Sequence, residues 1–183
     1  MRPFPDPFCA TPAPAPMLAG DADFVCIFSH ALAERAAGQG PLTERLGLSG
    51  ADLAALRDAY LPGVELPDLD LPAPGQSAEE QAITMLVLWR AGVNSPEARW
   101  LAAILARRAQ EHRHLWEDLG LPSRAHLGAL IRRHLPGLAA ANHQNMRWKK
   151  FFYRQICSDS AFSLCLSPTC DECDERAECF APD

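Results

Sequence analysis

The chain has 183 residues, room for one ordinary domain with an apolar core and too few for two large ones. Hydrophobic residues make up 48% of it, the share of a soluble globular protein. A net charge of -6 argues against a general binder of phosphate backbones, which would be basic, and no run of about 18 apolar residues exists to span a membrane, so neither nucleic acid nor membrane is an expected partner.

Residues 1–20 are expected to be flexible. Prolines recur from Pro3 to Pro16, and each fixes φ and removes a backbone donor. The segment lacks the charged-then-apolar layout of a signal peptide, so a cytoplasmic location is expected. In that compartment the seven cysteines read as metal ligands or buried thiols before disulfides.

From there the pattern predicts helix after helix. Asp23 to Ala37 is apolar with a polar face and stops at Gly38 and Gly40. Ser49 with Asp52 three residues on marks a capped start, and Leu53, Leu56 and Tyr60 follow a helical stripe. Pro62 to Gly75 reads as a loop joining two helical groups. Ser77 with Glu80 forms a capping box that opens a helix through about Arg90. Ser95-Pro96-Glu97 is another start, with Trp100, Leu101, Ile104 and Leu105 turned inward. Ser123 opens a short helix through His134, and a last helix is expected from about Leu138 to Cys157. β-Branched residues are few and alternation is short. The expected fold is all-α: a multi-helix domain over residues 21–157, followed by a cysteine-rich cluster-binding segment over 158–183.

That segment holds Cys165, Cys170, Cys173 and Cys179 in the spacing C-x4-C-x2-C-x5-C. Four thiolates are the usual ligand set of a small iron–sulfur cluster, and its first three follow the plant-type ferredoxin spacing. A four-cysteine zinc staple uses the same residues, although its common form has two C-x2-C pairs. The segment has too little apolar surface to offset chain entropy, so a metal would supply the missing folding free energy. Asp171, Glu172, Asp174, Glu175 and Glu178 surround the thiolates with negative charge, or form a solvated acidic surface.

Arg147-Trp-Lys-Lys-Phe-Phe-Tyr-Arg-Gln-Ile-Cys157, with the four-cysteine segment ending Cys179-Phe180, resembles the nitrogen-fixation family NifQ. Similar too are His114-Leu-Trp-Glu-Asp-Leu-Gly-Leu121, Asn142 to Met146 and Gly40-Pro-Leu-Thr-Glu-Arg-Leu-Gly-Leu48. The resemblance covers most of the chain beyond residue 20. It implies a molybdenum donor for the iron–molybdenum cofactor of nitrogenase. The implied cofactor is a molybdenum-containing iron–sulfur cluster on the cysteine motif. The implied partners are molybdate and the assembly machinery, which includes the NifEN scaffold and the nitrogenase iron protein. On this reading the chain is a metal carrier, not an enzyme. A zinc-stabilised interaction module and a ferredoxin-like electron carrier are the alternatives.

Five further residues are accessory candidates. Arg147, Lys150 and Arg154 fall at i, i+3 and i+7 on one helical face, with Trp148, Phe151 and Phe152 largely on the other. That face either meets molybdate or is a solvated basic surface. Cys157, eight positions before Cys165, is either a further thiol ligand or a small core residue. His114 either gives a nitrogen ligand or hydrogen-bonds Asp118 one turn on. Glu111 and His114 make a single Glu-x-x-His, where a carboxylate di-iron bundle needs two.

Overall fold

Four serines set the frame of the molecule. Ser49 Oγ accepts from the Asp52 N–H at 3.1 Å, and Ser95 Oγ from that of Ala98 at 3.2 Å. Ser77 Oγ accepts from the Glu80 N–H at 3.0 Å while the Glu80 carboxylate accepts from the Ser77 N–H at 2.7 Å, completing the capping box. Ser123 accepts from His126 N–H. Each contact satisfies a donor that the first turn of a helix leaves without an internal partner.

The computed structural model describes residues 19–158, and all regular structure among them is helical. The helices are α1 (Ala19–Ala36), α2 (Leu42–Leu46), α3 (Gly50–Tyr60), α4 (Ala78–Arg90), α5 (Pro96–Ala109), α6 (Leu115–Asp118), α7 (Arg124–His134), α8 (Pro136–Ala141) and α9 (Trp148–Ser158). The all-α expectation holds for this body. Cys165, Cys170, Cys173 and Cys179 lie outside the described residues.

The pair α4–α5 is the centre of the packing, with α8 and α9 against α4, and α2 and α6 against α5. Phe24, Ile27 and Phe28 of α1, Ile83 and Val87 of α4, Leu101, Ile104 and Leu105 of α5, and Leu130 and Ile131 of α7 are fully buried or nearly so. Trp100, Leu101, Ile104 and Leu105 face inward as their spacing predicts.

Within this core α1, α2 and α5 share a buried ion cluster. Arg108 is 0% exposed, and its Nη2 lies 2.7 Å from Glu34 Oε2. His30 and Arg45 also approach Glu34, at 3.3 and 3.7 Å. Burial acts to raise the Glu34 carboxyl, but hydrogen bonds and charge from His30 and Arg108 outweigh it and hold the pKa at about 2.

The Pro62 to Gly75 segment is a loop, as expected, and it is also a brace. Asp68 accepts from Arg35 at 2.6 and 2.9 Å and from the Leu42 N–H at 2.9 Å. Its carboxylate therefore ties the end of α1 to the start of α2. The loop lies directly on Gly50, where a Cβ would stand 2.1 Å from the Leu69 carbonyl oxygen, so only glycine fits there.

The expected helix from Leu138 to Cys157 is two helices. Pro136 occupies the first turn of α8, and the chain leaves the helix at Asn142. There the Asn142 side chain takes both hydrogen bonds of the Met146 backbone, accepting from its N–H and donating to its carbonyl, each at 2.9 Å. A side-chain amide that mimics the backbone competes with helical pairing, and it sets the break before α9. Two short helices, α2 and α6, also went without a sequence signal.

Candidate functional site

The last described helix, α9, leads directly into the cysteine segment. Trp148, Phe151, Phe152 and Ile156 are buried, and Trp148 meets Phe151 edge to face at 5.6 Å. This apolar side lies against α4. Polar contacts fix the same join. Arg90 Nη2 donates to Gln155 Oε1 at 3.1 Å, and the Tyr153 hydroxyl donates to Glu79. Burial and the Glu79 carboxylate push the Tyr153 phenol well above its ordinary range, so it stays a donor.

Lys149 is a structural residue that the sequence did not single out. Its ammonium donates to Asp118 Oδ2 at 2.7 Å and to the Glu111 carbonyl, pinning α9 to α6. Asp118 is 1% exposed, and Arg113 Nε lies 3.4 Å from its other oxygen. A buried carboxylate held by two cations is stable only while both stay in place.

The accessory residues divide into three groups. Arg147, Lys150 and Arg154 do share a line on the surface, with one correction. Arg147 precedes α9, and its carbonyl accepts the helix's opening bond from Phe151 N–H at 2.9 Å. Lys150 is half-buried and Arg154 exposed, with Nη1 of Arg154 3.9 Å from Met146 Sδ. Cys157 lies in the last turn of α9.

His114 is exposed at the start of α6, its N–H donating to Glu117 Oε2 at 2.9 Å and its ring parallel to that of Trp116 at 6.5 Å. The Asp118 carboxylate that its side chain was expected to meet is held by Lys149 and Arg113. Glu111 pairs with Arg45 and Arg107, so it serves the ion network rather than a Glu-x-x-His site.

Beside the start of α9 opens a cleft of about 630 Å³, lined by Arg124 and Arg132 of α7, residues of α8, Asn142, Asn145 and Trp148. Sequence reasoning missed it because two arginines eight positions apart look like an ordinary solvated face. Among the described residues no group of three His, Cys, Asp or Glu side chains could hold a metal ion.

The NifQ family model matches residues 24–181, which takes in the helical body and all four segment cysteines. The chain is 69% identical over 180 residues to Protein NifQ of Rhodobacter capsulatus, covering 98% of each. It is 42% identical over 151 residues to Protein NifQ of Klebsiella pneumoniae, covering 79% of this chain and 90% of that one. A NifQ homolog of Sinorhizobium fredii is 40% identical over 162 residues, which is 86% of this chain and 70% of that protein. No solved structure matches. A family match over both the helical body and the cysteines, with a relative aligned over 98% of both chains, means that the chain belongs to the NifQ family of nitrogen-fixation proteins.

Proposed function

We propose that the chain is a metal carrier, not a catalyst of covalent chemistry, and that it donates molybdenum for synthesis of the nitrogenase iron–molybdenum cofactor. Its cargo is a molybdenum-containing iron–sulfur cluster held by Cys165, Cys170, Cys173 and Cys179. The observation that carries this reading is that the family match runs to residue 181, just past the last of four closely spaced cysteines. The donor set fits the group: four soft thiolates suit iron and sulfide, and the described body offers no competing set of ligands.

The helical body's part is to present the segment. α9 is anchored by its aromatic residues and Lys149, and the basic residues Lys150 and Arg154 on it, with Arg147 just before it, lie on the stretch that runs into the cysteine segment. A cationic stripe that precedes the cysteine segment in sequence would attract an anionic molybdenum species and lower the electrostatic cost of a negatively charged cluster. The recipients under this reading are cofactor-assembly proteins, the NifEN scaffold and the nitrogenase iron protein, and the setting is cytoplasmic.

The test is metal and sulfide analysis of protein purified without oxygen. Iron, sulfide and molybdenum are expected together, and Cys170→Ala with Cys173→Ala should remove most of the iron absorbance. A colourless zinc protein would point to a structural staple. A reversible one-electron couple without molybdenum would point to an electron carrier.

A further inference from the structure

We propose that the outward face of α4 is the docking site for the first part of the cysteine segment, residues 160–166. α4 is apolar all round. Ile83, Leu86 and Val87 are buried against the core, yet Met85, Leu88 and Trp89 on the far side are exposed, and no charged residue occurs from Gln81 to Trp89. Met85 is 57% exposed and Trp89 66%. A helix that is apolar on every side is one that is covered on every side. α5, α8 and α9 supply the inner cover, and the described residues leave the outer side open. A contiguous exposed apolar patch of this kind marks a site of contact.

The chain itself delivers the occupant. Gln155, near the end of α9, accepts from Arg90 Nη2 at 3.1 Å, and the Arg90 guanidinium lies over the Trp89 ring, 4.5 Å from its centroid. α9 ends at Ser158, one turn past Gln155 and so beside the patch. The next four residues bring the chain to Phe162, and an extended chain covers about 3.3 Å per residue, which puts roughly 13 Å within reach. Residues 1–18 are the poorer candidate, because they enter through α1, whose main contacts are with α2, α3 and α7.

Residues 160–166 read Ser-Ala-Phe-Ser-Leu-Cys-Leu and lie outside the described residues. Phe162, Leu164 and Leu166 alternate, so in an extended chain they share one face and Cys165 takes the opposite one. Burying that face against Met85, Leu88 and Trp89 supplies apolar contact that the acidic remainder of the segment lacks. The docked stretch would hold Cys165 outward beside the end of α9, as the first of the four thiols. Only this consequence rests on the proposed function, since the docking does not depend on which metal the segment holds.

The experiment is hydroxyl-radical footprinting of the full-length chain, purified without oxygen, with peptide mass spectrometry reading the oxidation of Met85 and Trp89. Both side chains should oxidise slowly in the wild type at every protein concentration, and severalfold faster in the double variant Phe162→Ser, Leu164→Ser. The double variant Phe162→Leu, Leu164→Ile keeps the apolar face and should stay protected. Circular dichroism should show the same helix content in all three. Equal oxidation in the serine variant and the wild type overturns the docking. Protection that disappears on dilution assigns the face to a second copy of the chain, and protection that arises only when an assembly protein is added assigns it to that partner; either outcome overturns the seat within the chain. Metal analysis of the same samples separates this inference from the proposed function. Protection that depends on Phe162 and Leu164 in a zinc-bearing chain keeps the docking and removes the proposed cargo. An iron–molybdenum protein whose Met85 and Trp89 oxidise equally in both chains does the reverse.

Discussion

Asn142 serves as a substitute for two backbone groups. It is 8% exposed, and its amide pairs with both the N–H and the carbonyl of Met146. Asn142→Ala would leave those two groups without partners in a buried turn. The expected loss is about 2–3 kcal/mol, since each unsatisfied buried group costs roughly 1 kcal/mol or more. It should appear as a lower urea midpoint with an unchanged slope. Asn142→Asp keeps the acceptor and loses the donor, so its midpoint should fall between the two. Equal midpoints for Asn142→Ala and the wild type would mean that the break between α8 and α9 is set by something other than this clamp.

Helices with a serine at the start were legible in the sequence because the signal is local. Ser77 and Glu80 are three residues apart and satisfy each other whatever the rest of the fold does. Ser77→Ala should cost about 1 kcal/mol, and Ser77→Asp close to nothing, because aspartate carries a capping oxygen and alanine does not. Paired urea titrations would check this. α2 and α6 were not legible, as four or five residues are too few to show a helical period. The break at Asn142 was missed for another reason. The apolar spacing of residues 138–157 fits one long helix, and only the folded chain reveals that a side chain has replaced a backbone partner. Of the candidate site, the stripe of Arg147, Lys150 and Arg154 was readable from spacing. Lys149 was not, because its acidic partner lies 31 residues away on α6. The Arg124–Arg132 cleft was not readable either, since the space between them is made by α8 and Trp148.

At the scale of the whole molecule, acid should weaken the fold in steps of known sign. The Glu34 carboxyl is lowered from 4.5 to about 2, so its stabilisation is fully present above pH 4.5 and is lost as the pH falls toward 2. A shift of that size is worth on the order of 3 kcal/mol. Burial also lowers the His134 pKa from its usual 6.5, against the pull of Asp23. The unfolded chain therefore takes up that proton first, and stability begins to fall as the pH drops through about 6.5. Urea midpoints measured from pH 7 to pH 3 should decline throughout, more steeply below pH 4.5. Glu34→Gln should be less stable at pH 7, with Arg108 left without its partner charge, and should flatten the lower step. A wild-type profile that stays level below pH 4.5 would contradict the role assigned to the buried cluster.

The chain has two lysines, and they are neighbours, Lys149 and Lys150. Because the Lys149 ammonium is held by Asp118 and the Glu111 carbonyl, its amine is protected from acylation for as long as α9 stays seated on α6. The molecule thus carries its own chemical reporter of that contact. A brief exposure of the native protein to an amine-acylating reagent, followed by peptide mass spectrometry, should modify Lys149 only slowly. Conditions that lift α9 should raise its labelling to the rate of a solvated amine. The extent of Lys149 labelling would then follow, without any introduced probe, whether cluster loading or a partner loosens the helix that leads to the cysteines.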